Sequence, residues 1–424
     1  MEENKKDSRF KSCMIVIITA LITCIITTIM VYNYFKVKTG EDGKENIIGS
    51  LLNEIVSSSE EKREADVKTS NINSKLNKIK NNLDEIYIGE IDEEKMINGA
   101  LEGYVEALGD EYTEYLTEQE VTDLMQDVNG EYVGIGVYIA QNTETNGILV
   151  VGVIEDSPAH KAGILAGDTI KKVDGKEYKA EELTSASNEM KGAEGTKVKV
   201  TIEREGKEFD LDIIRQLIKF KYVSSEKLEN NIGYIRISSF EGECSKEFKK
   251  AYNDLKSQGI KSLIIDLRNN GGGLVPQSLA IAEMIVPKGE KILITVDKEG
   301  KEEVSYSKEE PIVDVPIVLL VNEYTASASE ILTAAIKENV DCKVIGTKTY
   351  GKGIIQGIFL FDDQKTGLKI TMQEYFTPKH NKLHKIGIEP DEKIELPVEW
   401  QGHITVEREY DNQLDRAVEI LSNK

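Results

Sequence analysis

Hydrophobic and polar positions divide the chain into stretches of unlike texture. From Met14 to Tyr32 the residues are almost all apolar or threonine and none is charged, a run about long enough to cross a bilayer core as a helix. A transmembrane helix is therefore expected over 13–35. Lys5, Lys6, Arg9 and Lys11 precede it, and this positive excess keeps a short tail, 1–12, in the cytoplasm and sends the chain beyond Lys36 outside. The run outlasts the apolar part of a cleaved signal peptide and ends on Tyr32, Tyr34 and Phe35 without small residues, so it reads as a retained anchor. Residues 36–82, rich in Ser, Asn, Lys and Glu, hold too few apolar positions to bury a core and read as a polar linker, helical in part.

Over 83–129, Ile91, Met96, Leu101, Val105 and Leu108 recur at broadly helical spacing among carboxylates. The pattern predicts two or three short amphipathic helices, whose default role is packing or self-association into a homodimer. At Gly130 the texture changes. Tyr132 to Ile139 and Gly147 to Val153 read as strands, Asp156-Ser157-Pro158-Ala159 starts a helix, and Thr169 to Val173 is a strand closed by the hairpin signal Asp174-Gly175. A helix from about Ala180 to Met190 and strands Lys197 to Arg204 and Lys207 to Ile213 complete a compact β-rich unit over 130–214. Over 215–400, strands Tyr234 to Ile237, Ser262 to Leu267 and Ile317 to Val321 alternate with helices, the pattern of an α/β core. Leu414, Ala417, Val418 and Leu421 predict a terminal helix within 401–424. The fold class expected is multidomain α/β.

Charge narrows the function. With 53 Lys and Arg against 75 Asp and Glu the net charge is -22, which repels phosphate backbones and excludes nucleic acid as a partner. Cys13 and Cys24 lie in or beside the apolar run, leaving Cys244 and Cys342 for the remainder, and neither a disulfide framework nor a paired-cysteine zinc motif is visible.

Three segments carry candidate chemistry. In Val315 to Ala335 a buried strand meets a helix across a turn of small residues, Tyr324-Thr325-Ala326-Ser327-Ala328-Ser329-Glu330. A serine at such a junction can project its hydroxyl into a cleft while the next amide and the helix N-terminus favour negative charge. Taken alone, the segment reads as ordinary N-capping ahead of catalysis. The second segment, Gly346-Thr347-Lys348-Thr349-Tyr350-Gly351-Lys352-Gly353, resembles a phosphate loop but has glycine rather than Ser or Thr after the lysine, and then a strand-like run rather than a helix. A lysine between glycines in a low-dielectric site can instead lose its proton near neutral pH and serve a serine as general base. In the third, Leu263 to Leu274, a buried strand runs into Gly271-Gly272-Gly273, whose bare amides could approach a substrate carbonyl.

The three segments in this order resemble the carboxyl-terminal processing peptidases, the tail-specific protease family S41, over about Leu83 to the end. The resemblance implies a serine peptidase with Ser327 as nucleophile, Lys352 as base and Gln356 orienting the lysine. It implies oxyanion donors at the amide of Ala328 and at Gly272 or Gly273, with Ser329 and Glu330 in support. The unit over 130–214 is similar to a PDZ domain, with Gly134-Ile135-Gly136-Val137 in the place of its carboxylate-binding loop, where an apolar C-terminal tail adds as a strand. Two departures stand out: Lys191 where relatives often carry arginine, and Thr377-Pro378-Lys379-His380-Asn381 where serine and glycine usually come after the proline. None of His160, His380, His384 and His403 has a supporting motif, and His380 with His384 reads as exposed loop. No metal and no cofactor is expected. The expected activity is membrane-anchored, extracytoplasmic cleavage of proteins recognised by their tails; the competing reading is a noncatalytic tail-binding scaffold.

Overall fold

The structure is a computed structural model that describes residues 71–142, 146–403 and 406–423. The apolar run Met14 to Tyr32 lies outside these residues, and among the described residues no helix is long and apolar enough to cross a membrane. The chain divides into two compact units, Met1–Glu93 and Glu94–Lys424. In the first, helix α1 covers 71–86 and so reaches into the stretch read as linker. Helix α2 (Glu93–Glu106) buries none of its side chains. Helix α3 (Glu118–Asn129) is framed by local chemistry: Thr117 caps its N-terminus in a capping box with Glu120, and Gly130, at φ 68°, ends it. Between α2 and α3 lies a strand that apolar spacing does not announce, β1 (Glu114–Leu116).

The β-rich unit begins with β2 (Glu131–Gly134), β3 (Val137–Asn142) and β4 (Gly147–Val153), then the short helix α4 (Pro158–Ala162). Ser157 caps α4 with Pro158 in its first turn, as the residues predict. Strands β5 (Thr169–Val173) and β6 (Lys176–Glu177) flank Asp174 and Gly175, both at positive φ as a primed hairpin turn requires. Helix α5 (Leu183–Met190) starts after a 3-10 turn at Ala180–Glu182, slightly later than its apolar pattern suggests. Strands β7 (Lys197–Arg204) and β8 (Lys207–Ile214) complete an antiparallel sheet ordered β3-β4-β5-β7-β8, with β6 on β5. Its inward residues Ile148, Val150, Ile170, Val198, Val200 and Ile202 pack on Ala159 and Ile164 of the α4 region and Ala186 and Met190 of α5. Strand β9 (Gln216–Lys219), just past the unit, returns to pair with β2, so the chain enters and leaves the unit at one place.

The remaining chain builds two sheets. β10 (Val223–Lys227) and β11 (Ile232–Ile237) precede helix α6 (Cys244–Ser257), and β12 (Ser262–Asp266) precedes α7 (Val275–Glu283). Next come β13 (Lys291–Asp297) and β14 (Glu302–Tyr306), then β15 (Ile317–Val321), α8 (Ala328–Asn339), β16 (Cys342–Gly346), β17 (Ile354–Leu360), β18 (Gly367–Phe376), β19 (Glu392–Lys393) and the terminal helix α9 (Asn412–Ser422). The first sheet runs β10-β11-β12-β15-β16-β19 and is parallel from β11 to β19. β12 and β15 are buried along their whole length, which is why they read as unbroken apolar runs. Leu263, Ile265, Leu319 and Val321 face α6, α7 and α8, whereas Ile264, Val318, Leu320 and Ile345 face Leu414, Ala417 and Leu421 of α9. The second sheet, β1-β18-β13-β14 with β17 on β18, is antiparallel. It departs from a uniform alternation of strand and helix. Glycine and charged residues along β17 and β18 hide their period in the sequence.

Candidate active site

Ser327 lies beyond β15 and its turn and stands immediately before α8, at φ 55° and ψ −119°. A residue other than glycine rarely adopts this backbone, and it persists only where surroundings hold it. Here they do. The Ser327 amide donates to Glu330 Oε2 at 2.9 Å, and its carbonyl accepts from the amide of Glu330 at 2.8 Å and from the Tyr375 hydroxyl at 2.9 Å. Its own hydroxyl is not used as the helix cap. Among the described residues nothing accepts from the amide of Ala328, which sits at the positive end of α8.

The triple-glycine turn lies directly against this serine. A Cβ on Gly272 would fall 2.8 Å from that of Ser327 and 3.0 Å from the Ala328 nitrogen. Buried Asn270 knits the two turns together. Its carbonyl accepts from Ala326 N at 3.1 Å and Ser329 Oγ at 2.9 Å, and its side chain accepts from Gly272 N at 2.9 Å. The Gly272 amide is therefore engaged. The Gly273 amide has no acceptor among the described residues, and a Cβ there would strike the backbone of Phe240.

Lys352 lies in the loop between β16 and β17, and a single carboxylate joins that loop to the serine. Glu330 Oε2, which holds the Ser327 amide, also accepts from Lys352 N at 2.9 Å, while Oε1 accepts from Gly351 N at 2.8 Å and Thr349 Oγ1 at 2.5 Å. Burial pushes the Glu330 carboxyl up, against the pull of these four donors. From the other side the buried hydroxyl of Tyr375 meets the carbonyls of both Ser327 and Lys352. Burial, with Lys369 adding repulsion, holds the Lys352 amine below its ordinary 10.5, opposed by Glu111, Glu114 and Asp110. Its Nζ lies 4.5 Å from the centroid of the Tyr112 ring. Gln356, on β17, is paired across the sheet with Thr371, and its Nε2 is buried without a partner among the described residues.

Sequence reasoning did not find Tyr112, Asn270 or Tyr375, none of which has a local signal. The expectation of an exposed loop fits His380, which contacts Glu302 at 2.8 Å. His384 departs from it. It is half-buried, with Nδ1 enclosed and unpartnered among the described residues, because Gly353 leaves room for its backbone.

In the β-rich unit, Gly134 ends β2, Ile135 is buried, Gly136 turns at φ 86° and Val137 begins β3. The Ile135 and Gly136 carbonyls accept from Ala159 N at 2.8 Å and Ile154 N at 3.0 Å, which fixes the loop. The Tyr132 ring covers Gly134, while burial pushes its phenol up to about 12. Below it, a cavity of about 20 Å³ is lined by Tyr132, Ile135, Val137, Ile139, Met190 and Lys191 among others, room for a water but not for a side chain. Lys191 is held by Asp123 at 3.2 Å and Gln126 at 2.9 Å on α3.

The chain matches the family model for Peptidase family S41 over residues 231–394, the PDZ domain over 133–214 and the activating protease CtpB N-terminal domain over 26–120. It is 38% identical over 325 residues to the carboxy-terminal processing protease CtpA of Bacillus subtilis, covering 76% of this chain and 69% of that protein. It is 35% identical over 329 residues to the carboxyl-terminal-processing protease of Synechocystis, covering 76% of each. A putative S41 protease from Bacteroides fragilis shares the fold, with a TM-score of 0.51 at 15% identity over 76% of this chain and 90% of that one. With the PDZ unit and the peptidase core both matched, the chain belongs to the carboxy-terminal processing proteases of peptidase family S41, which are serine-type peptidases.

Proposed function

We propose that this protease cuts its substrates with a Ser327/Lys352 pair, is held to the outer face of a membrane by the helix over 13–35, and takes proteins by their apolar C-terminal tails. One observation carries the pair: the Glu330 carboxylate accepts from the backbone amides of both residues, at 2.9 Å each. In this reading the neutral Lys352 amine removes the Ser327 proton and the alkoxide attacks the scissile carbonyl. The amides of Ala328 and Gly273 receive the oxyanion. The lysine, now an ammonium, returns its proton to the leaving amine, and water resolves the acyl-enzyme. Gln356 orients the lysine. Burial of Lys352, which favours the neutral amine, supports its role as base.

Gly134 to Val137 are the carboxylate cradle for the tail. Tyr132 and the small volume beside it support a gated form, in which an arriving tail displaces the ring as it binds. The uncharged run behind Lys5, Lys6, Arg9 and Lys11 supports the anchor and an extracytoplasmic catalytic part. Ile97, Leu101 and Tyr104, exposed on α2, support a homodimer through this region. The test of the pair is kinetic. Purified Ser327→Ala and Lys352→Ala proteins, each melting like the parent, are expected to lose cleavage of an unstructured protein with an apolar tail, by at least about 10³-fold. Parental turnover in either variant removes that residue from the mechanism.

A further inference from the structure

We infer that Tyr112, from the segment preceding the PDZ unit, is a positioning residue for Lys352: the face of its ring seats the amine in both protonation states without fixing its charge. This inference rests on the Ser327/Lys352 reading. The segment is clamped to the peptidase sheet. Tyr115 and Leu116 are buried, β1 pairs with β18 from Glu114 opposite Lys369 to Leu116 opposite Gly367, and Thr113 Oγ1 accepts from Thr371 N at 3.1 Å. That clamp places the Tyr112 ring 4.5 Å, centroid to Nζ, from Lys352.

Three carboxylates, Glu111, Glu114 and Asp110, act on the lysine through space, and two of them are engaged elsewhere. Asp110 takes Thr113 Oγ1 at 2.5 Å and Tyr112 N at 3.4 Å, and Glu114 takes Lys369 Nζ at 2.6 Å. Among the described residues no carboxylate lies at ion-pair distance from Lys352. The distinction matters for a base that must alternate between amine and ammonium. A paired carboxylate would stabilise the ammonium and keep the lysine protonated. A ring face attracts the ammonium more weakly, and when the amine is neutral it still packs against the methylene stem and sheds water. Bonds to Thr113 and Lys369 occupy two of the carboxylates, and the contact the amine makes is with the ring.

The experiment compares Tyr112→Phe, Tyr112→Leu and Tyr112→Met in the full-length protein, with kcat and KM measured on an unstructured protein with an apolar tail, alongside melting curves. Phe retains the ring; Leu and Met fill a similar space without it. Expected is a kcat within about threefold of the parent for Phe, and about 10- to 100-fold lower for Leu and Met with KM little changed. Leu or Met matching Phe would overturn the inference, because packing alone would then suffice. So would Phe falling as far as Leu, which would place the role in the hydroxyl, or a loss confined to KM. A Lys352→Ala protein in the same series separates the two readings: if it is active, the Ser/Lys pair fails; if it is inactive while Leu equals Phe, only the role of Tyr112 fails.

Discussion

A methyl group at Gly272 would sit 2.8 Å from Ser327 Cβ, 2.9 Å from the Ala326 oxygen and 3.0 Å from the Ala328 nitrogen, on a backbone at φ +110° that disfavours any side chain. Two of those neighbours are backbone and cannot swing aside, so the serine or the turn must shift. With Ser327 as the proposed nucleophile, a displacement of about 1 Å costs on the order of 100-fold in rate. Gly272→Ala is therefore expected to lose at least about 100-fold in kcat, read by steady-state kinetics, while the melting of the PDZ unit stays unchanged. At this scale the three glycines are visible in the sequence, but their division of labour is not. Only the folded turn shows that Gly272 packs on Ser327 with its amide spent on Asn270, while the Gly273 amide stays free of the described acceptors.

Among the elements, α8 owes its setting to Glu330. Read locally, an acid in the first turn of a helix is a partner for the macrodipole. In the structure it reaches back to Ser327 and outward to the loop over 349–352, so one carboxylate spans the junction of β15 with α8 and the junction of β16 with β17. Glu330→Gln replaces one acceptor oxygen with a donor facing backbone N–H groups. It is expected to cost about 1–3 kcal/mol in denaturant unfolding and to slow labelling of Ser327 by a fluorophosphonate. Parental values for both would show that the bridge carries neither stability nor reactivity. The helices, the buried parallel strands and the PDZ-like strands were readable because each has its own period and caps. β1 is too short to show one, and β17 and β18 alternate poorly around Gly357 and the charged Lys369 and Glu374.

For the molecule as a whole, the terminal helix is tied to the parallel sheet by buried charge. Arg268 donates to Asp266 Oδ2 at 2.7 Å, Asp411 Oδ1 and Oδ2 at 2.8 Å each and Gln413 Oε1 at 2.9 Å. Asp411→Ala leaves a buried guanidinium short of a partner and removes the α9 cap to Leu414, a loss of about 3 kcal/mol in urea unfolding. Asp266 contributes to the pH dependence. Burial pushes it up, but Arg268 and the Tyr234 hydroxyl hold it below its ordinary 3.8. A carboxyl depressed by folding adds stability that is complete above the unfolded value and disappears as pH falls through the folded one. Urea midpoints are thus expected to drop below about pH 4, and the drop should be smaller in Asp266→Asn.

By itself the sequence determined the kinds of element, the PDZ-like unit, the α/β core and the segments holding Ser327, Lys352 and the glycines, because period, capping and turn chemistry act within a few residues of themselves. Tertiary structure alone decided what those segments meet. Glu330 reaches a loop 22 residues on, Tyr375 reaches Ser327 from 48 residues on, and β1 crosses more than 250 residues to its place on β18, which lays Tyr112 on Lys352. Such meetings arise from strand pairing and burial between distant parts of the chain, and no local pattern encodes them.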